Sequence, residues 1–290
     1  MKYNSVAEIC RKAEAEHIKI SEVVLKDQAI LMDKSEEELK STMKTMLEVM
    51  RQSTKEGLKP DTRSISGLSG GDAYKLDQVV KSGQGICSSI IGKALVNALS
   101  VSETNACMGK IVAAPTAGSC GILPSVLMTI AEERQIDDDQ LVMALFTSSA
   151  IGMVIANQAS ISGAEGGCQA ECGSASAMAA AVLVELCQGT PAMVEHAVAI
   201  ALKSKLGMAC DPVAGLVEIP CIKRNAMGAA TAFVAAEMAL AGIESKIPAD
   251  EVIHAMKKIG DCMSSTLKET AEGGLAATPT AKKLMKQVFG

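Results

Sequence analysis

The stretch GAEGGCQAECGSASAMAA, residues 163–180, decides how the rest of the chain is read. Two cysteines and two glutamates stand among glycines, and then a run of alanine begins. Alanine is the strongest helix former and glycine among the weakest, so the composition sets an irregular turn against a helix starting near 174. Side chains this small pack only where neighbouring helices approach closely. The rest of the chain fits that demand. Aromatic residues make up only 2% of the 290, with no tryptophan, while 48% are apolar. Ala, Met, Leu, Ile and Val must therefore fill the interior.

Outward from this stretch, apolar runs of helical length alternate with glycine-rich turns. Helices are expected over about 76–100, 124–134, 138–157, 174–188, 191–207, 225–242 and 249–270. Residues 5–57 are charged and amphipathic, with Leu39, Met43, Met46, Leu47 and Met50 at three- and four-residue spacing. Ser35 followed by Glu38 resembles a capping box at the start of that helix. KIVAAPTAG at 110–118 is the one candidate strand, cut short by Pro115. The fold class expected is all-α. No interior linker or repeat divides the chain, so residues 1–290 form one domain, with amphipathic N-terminal helices at about 5–57 and a core over about 60–280. Glycines and polar residues concentrate in four inter-helix loops, 64–72, 113–124, 162–173 and 207–225, where a rigid apolar scaffold builds a site.

A net charge of −5 and the scarcity of aromatic platforms argue against a nucleic-acid partner. The first residues, MKYNSVAEICRKAEAEHIK, are charged throughout and lack a signal-peptide core, which leads to an expected cytoplasmic location. Residues 141–164 carry no charge and reach membrane-spanning length. They also hold Thr147, Ser148, Ser149, Asn157 and Gln158 without basic or aromatic flanks, so a buried core helix is expected and not a membrane span.

Ten cysteines in a reducing compartment point to ligands, catalytic thiols or small buried hydrophobes. Cys10, Cys87, Cys107, Cys187 and Cys262 lie in helix-like or apolar surroundings and are read as packing. Cys120, Cys168, Cys172, Cys210 and Cys221 lie in the polar loops. Spacing alone leaves three readings open: an iron–sulfur cluster, a closed zinc site on Cys168, Cys172, Cys210 and Cys221, and plain packing. Three thiolates would leave one iron of a four-iron cube open as a Lewis acid, which suits a dehydration.

The motifs SGLSGGDA, APTAGSCGILPSVL, GAEGGCQAECGSASAMAAA, ACDPVAGLVEIPCIKRNA and GGLAATPT, in this order, closely resemble the α chain of the bacterial iron–sulfur L-serine dehydratases (L-serine ammonia-lyases). The resemblance runs from roughly residue 15 to 280. It implies a [4Fe–4S] cluster held by Cys168, Cys210 and Cys221, with Cys172 not a ligand. It further implies an oxygen-sensitive, PLP-independent conversion of L-serine to pyruvate and ammonia, and an all-helical catalytic chain. Relatives carry an additional α/β domain, which implies a separate β chain as partner here.

Within that reading, Arg224 and Asn225 follow Cys221 closely enough to bind the substrate carboxylate. Ser66, Ser69, Gly70, Thr116, Gly118 and Ser119 are candidates for an anion-binding nest serving the same group. The base is unassigned. His17, His196 and His254 all lie outside the polar loops, and Lys110 serves only if burial lowers its pKa. Glu165 and Glu171 flank Cys168 and are expected to orient the site around it. A PLP enzyme is the rival for the same reaction, but Lys203 and Lys205 fall in a helical run and no βαβ alternation is present. A zinc-stabilised scaffold is the non-enzymatic rival.

Overall fold

In a computed structural model, which describes residues 3–290, the chain is built of helices, and no strand forms among the described residues. The N-terminal layer is α1 (Val6–Glu16), α2 (Ile20–Met32) and α3 (Glu36–Glu56). Around the core run α4 (Asp72–Lys81), α5 (Ser89–Ala106), α6 (Ile122–Arg134), α7 (Asp138–Gln158), the short α8 (Gly163–Gly166), α9 (Ser174–Leu186), α10 (Pro191–Lys203), α11 (Cys221–Leu240) and α12 (Ala249–Cys262). The chain closes with α13 (Pro279–Phe289).

The alanine run becomes α9, the central helix. Every residue from Ser174 to Glu185 is buried, and α6, α7, α10 and α11 pack around it. Small side chains permit this crowding. A methyl added at Gly228 of α11 would lie 2.3 Å from Ile122 Cδ1 of α6, and one at Gly152 of α7 would lie 3.0 Å from Met178 Sδ of α9. Burying Leu183, Val182 and Val184 contributes roughly 1.5–3 kcal/mol each by transfer from water. A larger residue at Ala179 has nowhere to go, and overpacking of this kind costs about 1–3 kcal/mol.

Helix α7 is, among the described residues, the one helix long and apolar enough to cross a membrane, and it packs against α9, α2, α3 and α12. Its fully buried residues include Leu141, Ala150, Ile151 and Val154.

Several expected boundaries moved. The run 76–100 is two helices, parted by an exposed turn containing Gly83 at φ +71°. The helices expected to reach 207 and 270 stop at Lys203 and Cys262, and α11 starts at Cys221, four residues before its expected start. Residues 110–113 are irregular rather than a strand; the nearest thing to sheet pairing is an isolated parallel bridge between Cys210 and Lys268. Residues 162–173 are not an open loop. Helix α8 leads into a wide π-helical turn, Gln169–Gly173, fused to α9. Turns of this type widen a helix and recur at functional sites.

The capping box at Ser35 and Glu38 is present in both directions: Glu38 N–H donates to Ser35 Oγ at 3.2 Å, and Ser35 N–H to Glu38 Oε2 at 2.8 Å. On that helix Leu39, Leu47 and Met50 are buried and Met43 packs against the core, but Met46 is exposed. Other helices are capped from a distance. Glu103 of α5 accepts the Asp72 and Ala73 N–H groups of α4 at 2.8 and 3.4 Å. Asp250 of α12 accepts those of Val6 and Ala7 in α1, and Glu185 of α9 that of Ser21 in α2. Free N–H groups and the positive end of a helix dipole make such carboxylates tolerable inside.

Candidate active site

The five motif segments converge at the start of α9 and α11. Cys168, at the entry to the π-helical turn, Cys210, in the segment after α10, and Cys221, the first residue of α11, are all buried. Cys210 is held by backbone bonds on both sides: its N–H donates to the Leu267 carbonyl and its carbonyl accepts from Glu269 N–H, each at 2.9 Å. The fifth motif follows directly, where Leu275 N–H donates to Asp211 Oδ2 at 2.8 Å.

Glu171, on the π-helical turn, joins two of these segments. Its Oε1 accepts the Thr116 hydroxyl at 2.6 Å and its Oε2 faces the Cys210 thiol at 3.6 Å. Gly118 and Gly163 lie so close that an added methyl would come within 2.8 and 2.6 Å of its carboxylate oxygens. Burial raises the Glu171 pKa, and the Thr116 bond offsets part of that rise. It therefore holds a proton more readily than an exposed glutamate.

The thiols differ in charge preference. The Cys172 sulfur, 3.4 Å from that of Cys168, and the Arg224 guanidinium hold Cys168 below the usual thiol range despite burial. The same pairing, with burial, pushes Cys172 up. Burial pushes Cys221 up to about 12 and raises Cys210 as well. Among the described residues, no three Cys, His, Asp or Glu side chains converge tightly enough to grip a single ion. Three buried thiols on three separate segments, one of them beside a guanidinium that lowers its pKa, are the donor chemistry a cluster takes.

The other expected site residues have partners of their own. Arg224 pairs with Asp211 at 2.9 Å and donates to the Ala209 carbonyl at 2.9 Å. Ser66 and Ser69 both donate to the buried Glu218, at 2.8 and 2.6 Å. Gly70 sits at φ +129°, where a methyl would strike the Thr62 carbonyl oxygen at 2.2 Å, so the turn demands glycine. Ser119 is buried, with its hydroxyl 3.2 Å from that of Thr116. Asn225 spans Gly118, Gly121 and Cys221. Glu165 is exposed and accepts the Ser160 hydroxyl at 2.7 Å, on the rim of a cavity of about 390 Å³ between α8 and α12. Lys110 is exposed. A larger cavity, about 610 Å³, lies at the far ends of α9 and α11 among Leu183, Leu186, Phe233 and Leu240, and none of the three thiols lines it. Sequence reasoning passed over Asp211 and Glu218, although they stand next to Cys210 and three residues before Cys221; acidic residues in a loop read as solvated until their partners are seen.

The profile described as "Serine dehydratase alpha chain" matches residues 6–276. The chain belongs to the serine dehydratase alpha-chain family. It is 49% identical to a "Probable L-serine dehydratase, alpha chain" of Bacillus subtilis (strain 168), over 99% of this chain and 96% of that one. It is 43% identical to an "L-serine dehydratase, alpha chain" of Peptoniphilus asaccharolyticus, over 98% and 97%. An "L-serine dehydratase" of Streptomyces coelicolor is 40% identical over 93% of this chain, which spans 59% of that longer protein. Serine dehydratase alpha chains thus match this chain at nearly equal length, and the constellation around Glu171 lies wholly inside the matched region.

Proposed function

We propose that this chain is the catalytic subunit of an L-serine ammonia-lyase, which eliminates water from L-serine and releases pyruvate and ammonia, with a [4Fe–4S] cluster held by Cys168, Cys210 and Cys221. One observation carries the reading: three buried thiols from separate motifs gather around one buried carboxylate, Glu171, and one guanidinium, Arg224, in a chain of this family. When bound, the cluster supplies a Lewis acid for the departing hydroxyl.

The chain's own residues account for the rest of the chemistry. Arg224, oriented by Asp211, presents fixed positive charge beside Cys168, which favours the thiolate and can orient a substrate carboxylate. Glu171, buried and oriented by Thr116, holds or passes a proton at its carboxylate, a role in which it replaces Lys110 as the candidate. Loss of the Cα proton and the Cβ hydroxyl leaves aminoacrylate, which tautomerises to an imine and hydrolyses to pyruvate and ammonia. The close packing of α9 behind the site keeps bulk water out.

A separate β chain is the proposed partner. It is supported by relatives of equal length that carry the words "alpha chain" and by the longer single-chain relative of which this chain spans 59%. Ten cysteines, none in a disulfide, fit a reducing, cytoplasmic setting.

The test is anaerobic reconstitution with iron and sulfide, followed by metal analysis and assay of pyruvate from L-serine with and without the second chain. About four irons per chain with matching sulfide, and turnover that depends on them, are expected. A single zinc without sulfide, or full turnover by iron-stripped protein, overturns the proposal.

A further inference from the structure

We infer that Asn225 is a positioning residue, bracing the 116–121 turn against the backbone of Cys221, and that it does not bind substrate. Its amide is fully committed. Oδ1 accepts the Gly121 N–H at 2.8 Å, while Nδ2 donates to the Gly118 carbonyl at 2.8 Å and to the Cys221 carbonyl at 2.9 Å. An asparagine amide offers two donors and one acceptor oxygen, so little capacity remains for a ligand. The side chain is 1% exposed, and a methyl on Gly121 would lie 3.2 Å from Oδ1, so the turn is seated directly on it.

The consequence reaches two of the three thiols. The turn that Asn225 holds carries Thr116, which fixes Glu171, which faces Cys210. Asn225 itself sits one helical turn after Cys221 and bonds its carbonyl. One buried amide therefore sets the Cys221 end of the site against the Glu171 and Cys210 end. Removing a partner from a buried network of this kind leaves groups unsatisfied, and the loss spreads through the shared contacts.

Two variants separate bracing from binding. Asn225→Ala removes all three bonds; Asn225→Asp keeps an acceptor for Gly121 N–H but sets its other carboxylate oxygen, in place of Nδ2, against the Gly118 and Cys221 carbonyls. In iron-free protein, amide exchange at Gly121 should rise about tenfold or more in N225A and stay near wild type in N225D. After anaerobic reconstitution both should bind less iron and lose kcat, while KM for L-serine in the loaded fraction stays within about twofold. A KM rise of about tenfold at wild-type iron content, or unchanged Gly121 exchange in N225A, overturns the inference. N225D with normal iron and normal kcat does so as well, which covers the case in which N225A does not fold. The iron arm rests on the cluster reading: if wild-type protein binds no iron, that reading fails, while the exchange arm still judges the brace.

Discussion

Gly163→Ala adds one methyl group to the site and changes no polar residue. The new Cβ would lie 2.6 Å from Glu171 Oε2 and 2.9 Å from Cys210 Sγ, where ordinary contact begins at 3.4 Å. Glu171 must retreat by about 0.8 Å or the start of α8 must shift, and either movement is overpacking of the kind that costs about 1–3 kcal/mol. The carboxylate cannot retreat freely, because its Oε1 accepts the Thr116 hydroxyl at 2.6 Å. A shift of that size lengthens the 2.6 Å Thr116 bond to as much as about 3.4 Å and weakens it. Thermal unfolding of the iron-free protein should therefore drop by roughly 2–12 °C, at about 2–4 °C per kcal/mol. Iron uptake and pyruvate formation should fall with it. Gly85→Ala is the matched control: an added methyl meets nothing within 4 Å, and the change should stay within about 0.5 kcal/mol. G163A with wild-type unfolding temperature, iron content and kcat would show that Glu171 and Cys210 are not held as described.

Other perturbations probe separate parts of the chain. Cys168→Ala, Cys210→Ala and Cys221→Ala should each abolish cluster absorbance and activity, whereas Cys172→Ala should keep most of both; equal loss in all four would refute the ligand assignment. Glu103→Ala removes the acceptor for the first two N–H groups of α4 and should cost about 1–3 kcal/mol in denaturant unfolding, with faster amide exchange at Asp72 and Ala73 as its local mark. Glu185 tests pH dependence. Burial raises its folded pKa above the unfolded value, an effect that Ser21 and Thr147 only partly offset. Its ionised form therefore weakens the fold above the folded pKa, and that penalty fades as pH falls through it and is gone below the unfolded value. Glu185→Gln should thus gain stability relative to wild type at pH 8 and lose the advantage near pH 5; a constant difference across that range would count against the assignment.

The sequence by itself determined what depends on near neighbours. Helical spacing, the Ser35–Glu38 box and the alanine run at 174 are local signals, and each names a helix whose stability comes from residues a few positions away. The resemblance of its motifs to the family implied Cys168, Cys210 and Cys221 as ligands, with Glu171 a candidate beside them. Which side chain meets which was decided only in three dimensions. The apolar run at 76–100 carried no mark strong enough to show where its glycines would break it. Glu103, Glu185 and Asp250 cap helices 30, 164 and more than 240 residues away, a distance no local pattern encodes. Ser66, Ser69 and Asn225 read as open donors in sequence because a free hydroxyl or amide and a satisfied one have the same letter. Their partners, Glu218, Gly118 and Gly121, come from other segments, and burial forces such groups to pair with whatever the packing brings within reach.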